Sequence, residues 1–199
     1  MRTKPAAPPL RMTEDEFYAL AGEDSPWEYL GGEVLVREPA SFRHEDLFLF
    51  IGTLLRMFLD ERGGGVALGS HYPMRLDPQW SPEPDLLVVC EARRHLMGAQ
   101  RLQGPADLVI EIGSPSDPRR DFRRKLPRYR EAKVPEFWMI DPYACRVRVE
   151  TLEGDGYRVV DLWSGRLAST AVPGFWLDVA WLWQEPLPPT PACLRQILA

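Results

Sequence analysis

Three short runs, Leu86–Cys90, Leu108–Ile112 and Glu136–Ile140, are almost continuously apolar. A half-exposed strand alternates apolar and polar residues, so unbroken runs of this length read as strands buried on both faces. Such strands need cover above and below. The pattern therefore points to a mixed α/β domain with helices against a central sheet. The helices are legible as well. Thr13, with Glu16 three residues on, has the form of a capping box and predicts a helix to about Ala21. Ser41 opens a long helix, roughly 42–61, with Leu47, Ile51, Leu54, Leu55 and Phe58 at helical spacing, and Gly63-Gly64-Gly65 ends it. Asp117 and Pro118 resemble an N-cap and a first helical residue, which predicts a basic helix to about Ala132. Pro127 lies deep inside that helix and predicts a kink or a split.

The remaining segments read as strands and turns. Trp27–Tyr29 and Glu33–Glu38 flank Gly31-Gly32 as a hairpin. Val66–Leu68 and Tyr72–Leu76 are strand-like. Arg146–Glu150, Tyr157–Leu162 and Leu167–Ala171 read as a C-terminal β-meander, with Gly154-Asp155-Gly156 as its first turn. A chain of 199 residues fits one domain with a sizeable core. Of its 20 prolines, several cluster at the ends (Pro5, Pro8, Pro9; Pro186, Pro188, Pro189, Pro191). That predicts a loose tail over 1–11, a compact domain over 12–183 and a proline-rich tail over 184–199.

Composition excludes some classes. No apolar run is long enough to span a bilayer, and no apolar stretch comes after Arg2 and Lys4 as in a signal peptide. Cys90, Cys145 and Cys193 are odd in number and far apart, which suits a cytoplasmic setting better than a disulfide framework or a cysteine zinc site. GxGxxG, Walker and HExxH patterns are absent. Net charge is −5, which by itself argues against a nucleic-acid partner. The distribution matters more. Arg119 to Lys133 holds eight basic and two acidic residues, +6 against the whole chain's −5, leaving −11 elsewhere. One basic stretch can hold a phosphate backbone locally; it can equally be a solvated helix face.

Two carboxylates stand at special places. Asp85 immediately precedes the run Leu86–Cys90, and Glu111 lies inside Leu108–Ile112. Adjacent strands about 4.8 Å apart would bring them side by side. A carboxylate in apolar surroundings is costly to ionise unless it is paired or binds a metal. Two that converge can hold Mg²⁺, which takes one or two carboxylates and keeps several waters. Phosphodiester hydrolysis uses such an ion, and a nearby lysine helps to neutralise developing charge. Lys125, 14 residues after Glu111 on the basic helix, is the candidate. For Asp85 the ordinary alternative is a turn residue after Ser81-Pro82-Glu83-Pro84.

The segments Pro84-Asp85, Asp107-Leu108-Val109-Ile110-Glu111-Ile112-Gly113-Ser114-Pro115-Ser116, Asp121…Lys125…Tyr129 and Glu136-Phe137-Trp138-Met139-Ile140-Asp141-Pro142 resemble the Uma2 family, formerly a domain of unknown function. That family is similar to the PD-(D/E)XK restriction-endonuclease-like superfamily. The resemblance extends upstream to Gly32-Glu33 and His44 and covers roughly residues 12–182. It implies a restriction-endonuclease-like core, with Asp85 as the aspartate of the PD half-motif and Glu111 at the (D/E) position. The lysine usual two residues later is replaced by Gly113, and the resemblance places that role on Lys125.

The resemblance further implies a Mg²⁺- or Mn²⁺-dependent endonuclease, with DNA a better substrate than RNA and a homodimer as the default assembly. The alternative is a catalytically idle nucleic-acid or protein interaction module that keeps the nuclease fold. His44 is either a cap or core-edge residue or a group near the metal and phosphate. Glu33 reads as an ordinary hairpin residue or a supporting acid. Tyr129, one turn after Lys125, reads as packing or as support for the lysine. Ser114, Ser116, Arg119, Arg120, Arg123, Arg124 and Arg128 are candidate phosphate contacts. The tryptophans toward the C-terminus, among them Trp163, Trp176 and Trp183, are expected in core and subunit interface.

Overall fold

A computed structural model describes residues 10–21, 25–36, 39–69, 71–114 and 120–199. The first described residues form β1 (Leu10–Arg11), followed by α1 (Glu14–Leu20). Thr13 caps α1, its hydroxyl accepting from the Glu16 N–H while the Glu16 carboxylate accepts from the Thr13 N–H at 2.8 Å. The hairpin β2 (Trp27–Leu30) and β3 (Glu33–Val36) comes next. Its two-residue turn places Gly31 and Gly32 at φ 67° and 74°, values that suit residues without a Cβ. Beyond it is α2 (Phe42–Arg62), capped by the Ser41 hydroxyl.

The order continues with β4 (Gly65–Gly69), β5 (Trp80–Ser81), β6 (Leu86–Cys90), β7 (Leu108–Ile112), α3 (Arg120–Glu131), β8 (Glu136–Asp141), β9 (Arg146–Glu153), β10 (Gly156–Leu162), β11 (Arg166–Ala168), β12 (Trp176–Asp178) and α4 (Thr190–Leu198). Short 3₁₀ helices cover Glu91–Leu96 and Val179–Trp183. None of the described helices is long and apolar enough to cross a membrane.

The main sheet runs β10-β9-β8-β7-β6-β4. β7 and β8 are parallel, joined by α3, and the other neighbouring pairs are antiparallel. The three continuously apolar runs are its central strands, as their pattern predicts. Side chains alternate between faces. Leu86, Val88, Leu108, Ile110, Trp138 and Ile140 join α2 and the C-terminal elements in one core. Leu87, Val89, Val109, Phe137 and Met139 form a second core with Phe122 and Tyr129 of α3. A smaller sheet, β1-β3-β2-β5, packs Tyr29 and Val34 against Phe17 of α1.

Four expectations change. Tyr72–Leu76 is not a strand. Pro73 has no N–H to give a ladder, and the segment makes one bridge, from Met74 to Leu102. Leu167–Ala171 does not continue the meander. β11 stops at Ala168 and pairs with β12 outside the main sheet. Ser169, Thr170 and Ala171 instead donate to the carboxylate of Glu136, which is wholly buried, through two backbone N–H groups at 2.7 and 2.8 Å and two hydroxyls. Pro127 does not split α3, which is continuous from Arg120 to Glu131. Finally, the tails are not wholly loose. Leu10 and Arg11 pair with β3, and α4 buries Cys193, Leu194 and Ile197 in the main core. The predicted helix start at Asp117-Pro118 lies outside the described residues.

Candidate active site

The register of β6 and β7 brings the two carboxylates together. Leu86 pairs with Ile110, Leu87 with Val109 and Val88 with Leu108. The next position outward sets Asp85 opposite Glu111. Asp85 turns one carboxylate oxygen, Oδ2, to the N–H of Ile112 at 2.7 Å and to His44 Nε2 at 3.2 Å. His44 lies in the first turn of α2, whose capped start aims it at the end of the sheet. Burial would lower its pKa, but hydrogen bonding and charge from Asp85 and Glu45 prevail and hold it above the ordinary histidine value.

Glu111 is buried on the α3 side, with 3% exposure. Its Oε1 accepts from the Tyr129 hydroxyl at 2.5 Å, and the Lys125 amine reaches its two oxygens at 3.1 and 3.2 Å. Lys125 and Tyr129 are one helical turn apart and so share a face of α3; Pro127 falls on the exposed side. Lys125 keeps 4% exposure and has two further partners, Glu28 Oε1 at 2.8 Å and the carbonyl of Glu83 at 3.3 Å. The Glu111 pKa is pushed up to about 8, chiefly by burial; Asp85 and Glu28 add to the rise, while Lys125 and Tyr129 oppose it. The Tyr129 hydroxyl is driven well above the ordinary tyrosine range by burial and then by Glu111.

Glu28 was not singled out by the sequence. Its oxygen takes both the Lys125 amine and the Glu83 N–H, and it is 6% exposed. The signal was the one that exposed Glu111: a glutamate among Trp27, Tyr29 and Leu30. Glu33, by contrast, is no member of the cluster. It pairs with Arg11 at 2.7 Å and Arg124 at 3.2 Å, tying β3 to α3 beside the lysine.

The candidate phosphate contacts divide. Arg124 is engaged by Glu33, and Arg128 by Glu131 at 2.6 Å and by the face of Trp80 at 4.5 Å. Arg123 is exposed and Ser114 half-buried. Ser116, Arg119 and the Arg120 side chain lie outside the described residues. Much of the basic stretch thus carries acidic partners within the chain, and Arg130 adds a bidentate pair with the fully buried Glu150.

Three carboxylates, Asp85, Glu111 and Glu28, face one lysine and one histidine. A divalent cation would offset this excess of carboxylates. Hard oxygen donors suit Mg²⁺ or Mn²⁺. Each carboxylate has about four lone-pair sites, so the hydrogen bonds in place leave acceptor capacity. Among the described residues, no group of three or more His, Cys, Asp and Glu side chains is arranged to hold a metal ion. An ion here would rest on Asp85 and Glu111 with water completing its shell.

A family model for Uma2, described as "Putative restriction endonuclease", matches residues 14–180. Among solved structures, one similar chain is described as "a putative nuclease belonging to DUF820", from Anabaena variabilis. It shares 18% identity at a TM-score of 0.74, over 86% of this chain and 97% of that one. At this identity the likeness is one of fold. No curated protein matches the chain.

Proposed function

Because the chain belongs to the Uma2 family, we propose that it is a metal-dependent endonuclease that hydrolyses phosphodiester bonds in DNA. The carrying observation is the cross-strand pair of Asp85 and Glu111 with the buried amine of Lys125 at 3.1 Å from the glutamate. The nuclease description of the structurally similar Anabaena chain supports the same reading. Mg²⁺ or Mn²⁺ held by Asp85 and Glu111 would polarise the phosphate and acidify an attacking water.

The chain's own residues do the rest. Lys125, held by Glu28, offers its amine to a phosphate oxygen and stabilises the charge that develops as the water oxygen bonds to phosphorus and the ester oxygen leaves. Tyr129 orients Glu111, and His44 orients Asp85. The buried setting strengthens each of these interactions.

The test is cleavage of supercoiled plasmid and single-stranded DNA with Mg²⁺ or Mn²⁺. Cleavage should stop in EDTA and fall at least about 100-fold in Glu111→Ala and Lys125→Met, the scale for losing one charge-stabilising group. No cleavage with either ion, or a Glu111→Ala protein as active as wild type, would sink the proposal. Pairing of two subunits so that both strands are cut is part of the same reading; light scattering should give a dimer mass.

A second reading, an idle interaction module, draws on the chain's own partners for Lys125, Arg124 and Arg128. It predicts that Lys125→Met changes nothing but stability.

A further inference from the structure

The outer surface around the start of α2 carries aromatic side chains that the rest of the chain leaves largely uncovered. Phe42, the first residue of the helix, is 84% exposed, Trp163 59% and Tyr143 49%. Leu49, seven residues after Phe42 and so on the same face of α2, is 61% exposed. We propose that this patch is the face through which two copies of this chain pair. The inference rests on the nuclease reading, to which it gives a subunit interface.

The aromatic residues form one surface. On one side of Phe42, the Ser41 and Tyr143 hydroxyls are 3.4 Å apart. On the other side, Arg43 donates to the carbonyls of Leu182 and Gln184, the residues that flank Trp183. The indole N–H of Trp183 in turn donates to the carbonyl of Trp163 at 2.8 Å. Phe42 thus stands between Tyr143 and the pair Trp163 and Trp183. Trp176 is not part of the patch, since its ring lies against Trp181 at 5.4 Å and under Arg166 at 4.2 Å. Two residues are more than half a helical turn, so His44 reaches in to Asp85 while Phe42 faces solvent. A copy seated on Phe42 therefore stands behind the turn that holds a member of the catalytic cluster.

Area and charge select the occupant. A large aromatic side chain presents about 150–250 Å², so the exposed fractions of Phe42, Tyr143 and Trp163 come to about 400 Å². That reaches the size, about 300–600 Å², at which the largest patch on a monomer is often functional. It is about half of the roughly 800 Å² that each partner gives to a stable interface, before Leu49 and the polar rim are added. The rim is acidic. Glu45 and Glu185 are exposed, and Arg43 beside them is engaged by carbonyl groups of the chain. Such acids repel a phosphate backbone, so DNA is not the occupant. A second copy brings a matching surface, and rings meet rings across a two-fold axis. It also brings the second catalytic centre that a cut through both strands needs.

The test is sedimentation velocity of the full chain, in EDTA and without DNA, over a dilution series from micromolar to nanomolar. Wild type should sediment as a pair of 22.8 kDa chains. The pair should persist at high salt, because apolar burial is not screened as charge attraction is. Phe42→Ser and Trp163→Ser should each weaken pairing by at least about 30-fold, the scale for one lost anchor residue, with unchanged circular dichroism. Tyr143→Ser takes the place of either variant that fails to fold. Leu20→Ser, at a side chain 64% exposed on α1, should leave the pair intact.

A wild-type chain that is monomeric at every concentration overturns the proposal. So does a dimer that the aromatic variants leave unchanged, or one that Leu20→Ser disrupts as strongly. Loss of binding to labelled DNA in Phe42→Ser, with the dimer intact, overturns it in favour of a nucleic-acid surface. Plasmid cleavage with Mg²⁺ separates the two readings. A monomeric wild type that cuts removes the interface and leaves the nuclease; a dimer that depends on the patch and cuts nothing does the reverse.

Discussion

Glu111 is the residue on which stability and chemistry pull in opposite directions. Its carboxyl is 3% exposed, and burial first, with Asp85 and Glu28 behind it, pushes its pKa to about 8 against the lowering effects of Lys125 and Tyr129. In the unfolded chain the group titrates near 4.5. Ionising it therefore costs the folded state and not the unfolded one. Its contribution to stability is greatest below the unfolded value, falls as pH rises, and levels off above about 8. His44 has a raised pKa as well, so its contribution also fades with rising pH, and a comparison of variants is needed to isolate Glu111. Glu111→Gln keeps the shape and removes the titration. In EDTA its melting temperature should exceed that of wild type by a margin that widens from about pH 5 to about pH 8.5. A margin that is flat or reversed across that range, followed by circular dichroism, contradicts the assignment. Metal binding should rise over the same window, since the ligand must lose its proton; calorimetry in two buffers of different ionisation enthalpy would count it.

At the scale of elements, α3 decides where the lysine goes. Phe122, Lys125 and Tyr129 share its inner face by helical spacing, and the ion pair of Arg124 with Glu33 fixes its flank on β3. Pro127 lies on the outer face, so its missing N–H and its ring act against the backbone and leave Lys125 in place. A proline inside a helix costs up to about 3 kcal/mol relative to alanine. Pro127→Ala should therefore stabilise the protein by about 1–3 kcal/mol in urea unfolding, with cleavage unchanged within about threefold. Loss of activity together with gained stability would mean that the proline sets the aim of Lys125. The same helix corrects the reading of its charge. The basic run looks like a phosphate track in sequence, but Arg124, Arg128 and Arg130 meet Glu33, Glu131 and Glu150.

For the molecule as a whole, the C-terminal segment is a structural tie. Arg43 of α2 donates to the carbonyls of Leu182 and Gln184, at 2.5 and 3.1 Å, and Arg62 at the far end of α2 donates to Leu198 at 2.6 Å. Between those anchors α4 lays Cys193, Leu194 and Ile197 on the core that backs β6 and β7. Ile197→Ala should cost about 2–5 kcal/mol, as for other aliphatic truncations in a packed core. Removal of 184–199 should cost more and lower the midpoint of chemical unfolding sharply. A truncated chain as stable as the full one would return this segment to the role of a tail.

Local signals carried much of this fold. The continuous apolar runs, the capping residues of α1 and α2, the turn glycines and the glutamate inside Leu108–Ile112 all report interactions among residues close in sequence, and periodicity encodes those directly. Asp85 and Glu111 could be placed together because one immediately precedes, and the other lies near the end of, two buried strands that neighbour each other. Other features required the assembled molecule. Glu28 joins Lys125 across the small sheet, His44 reaches Asp85 from another layer, Glu136 diverts Ser169–Ala171 from the meander, and α4 finds the back of α2. Each of these contacts links residues far apart in the chain. Their formation depends on how whole elements pack, and no spacing within one element specifies that.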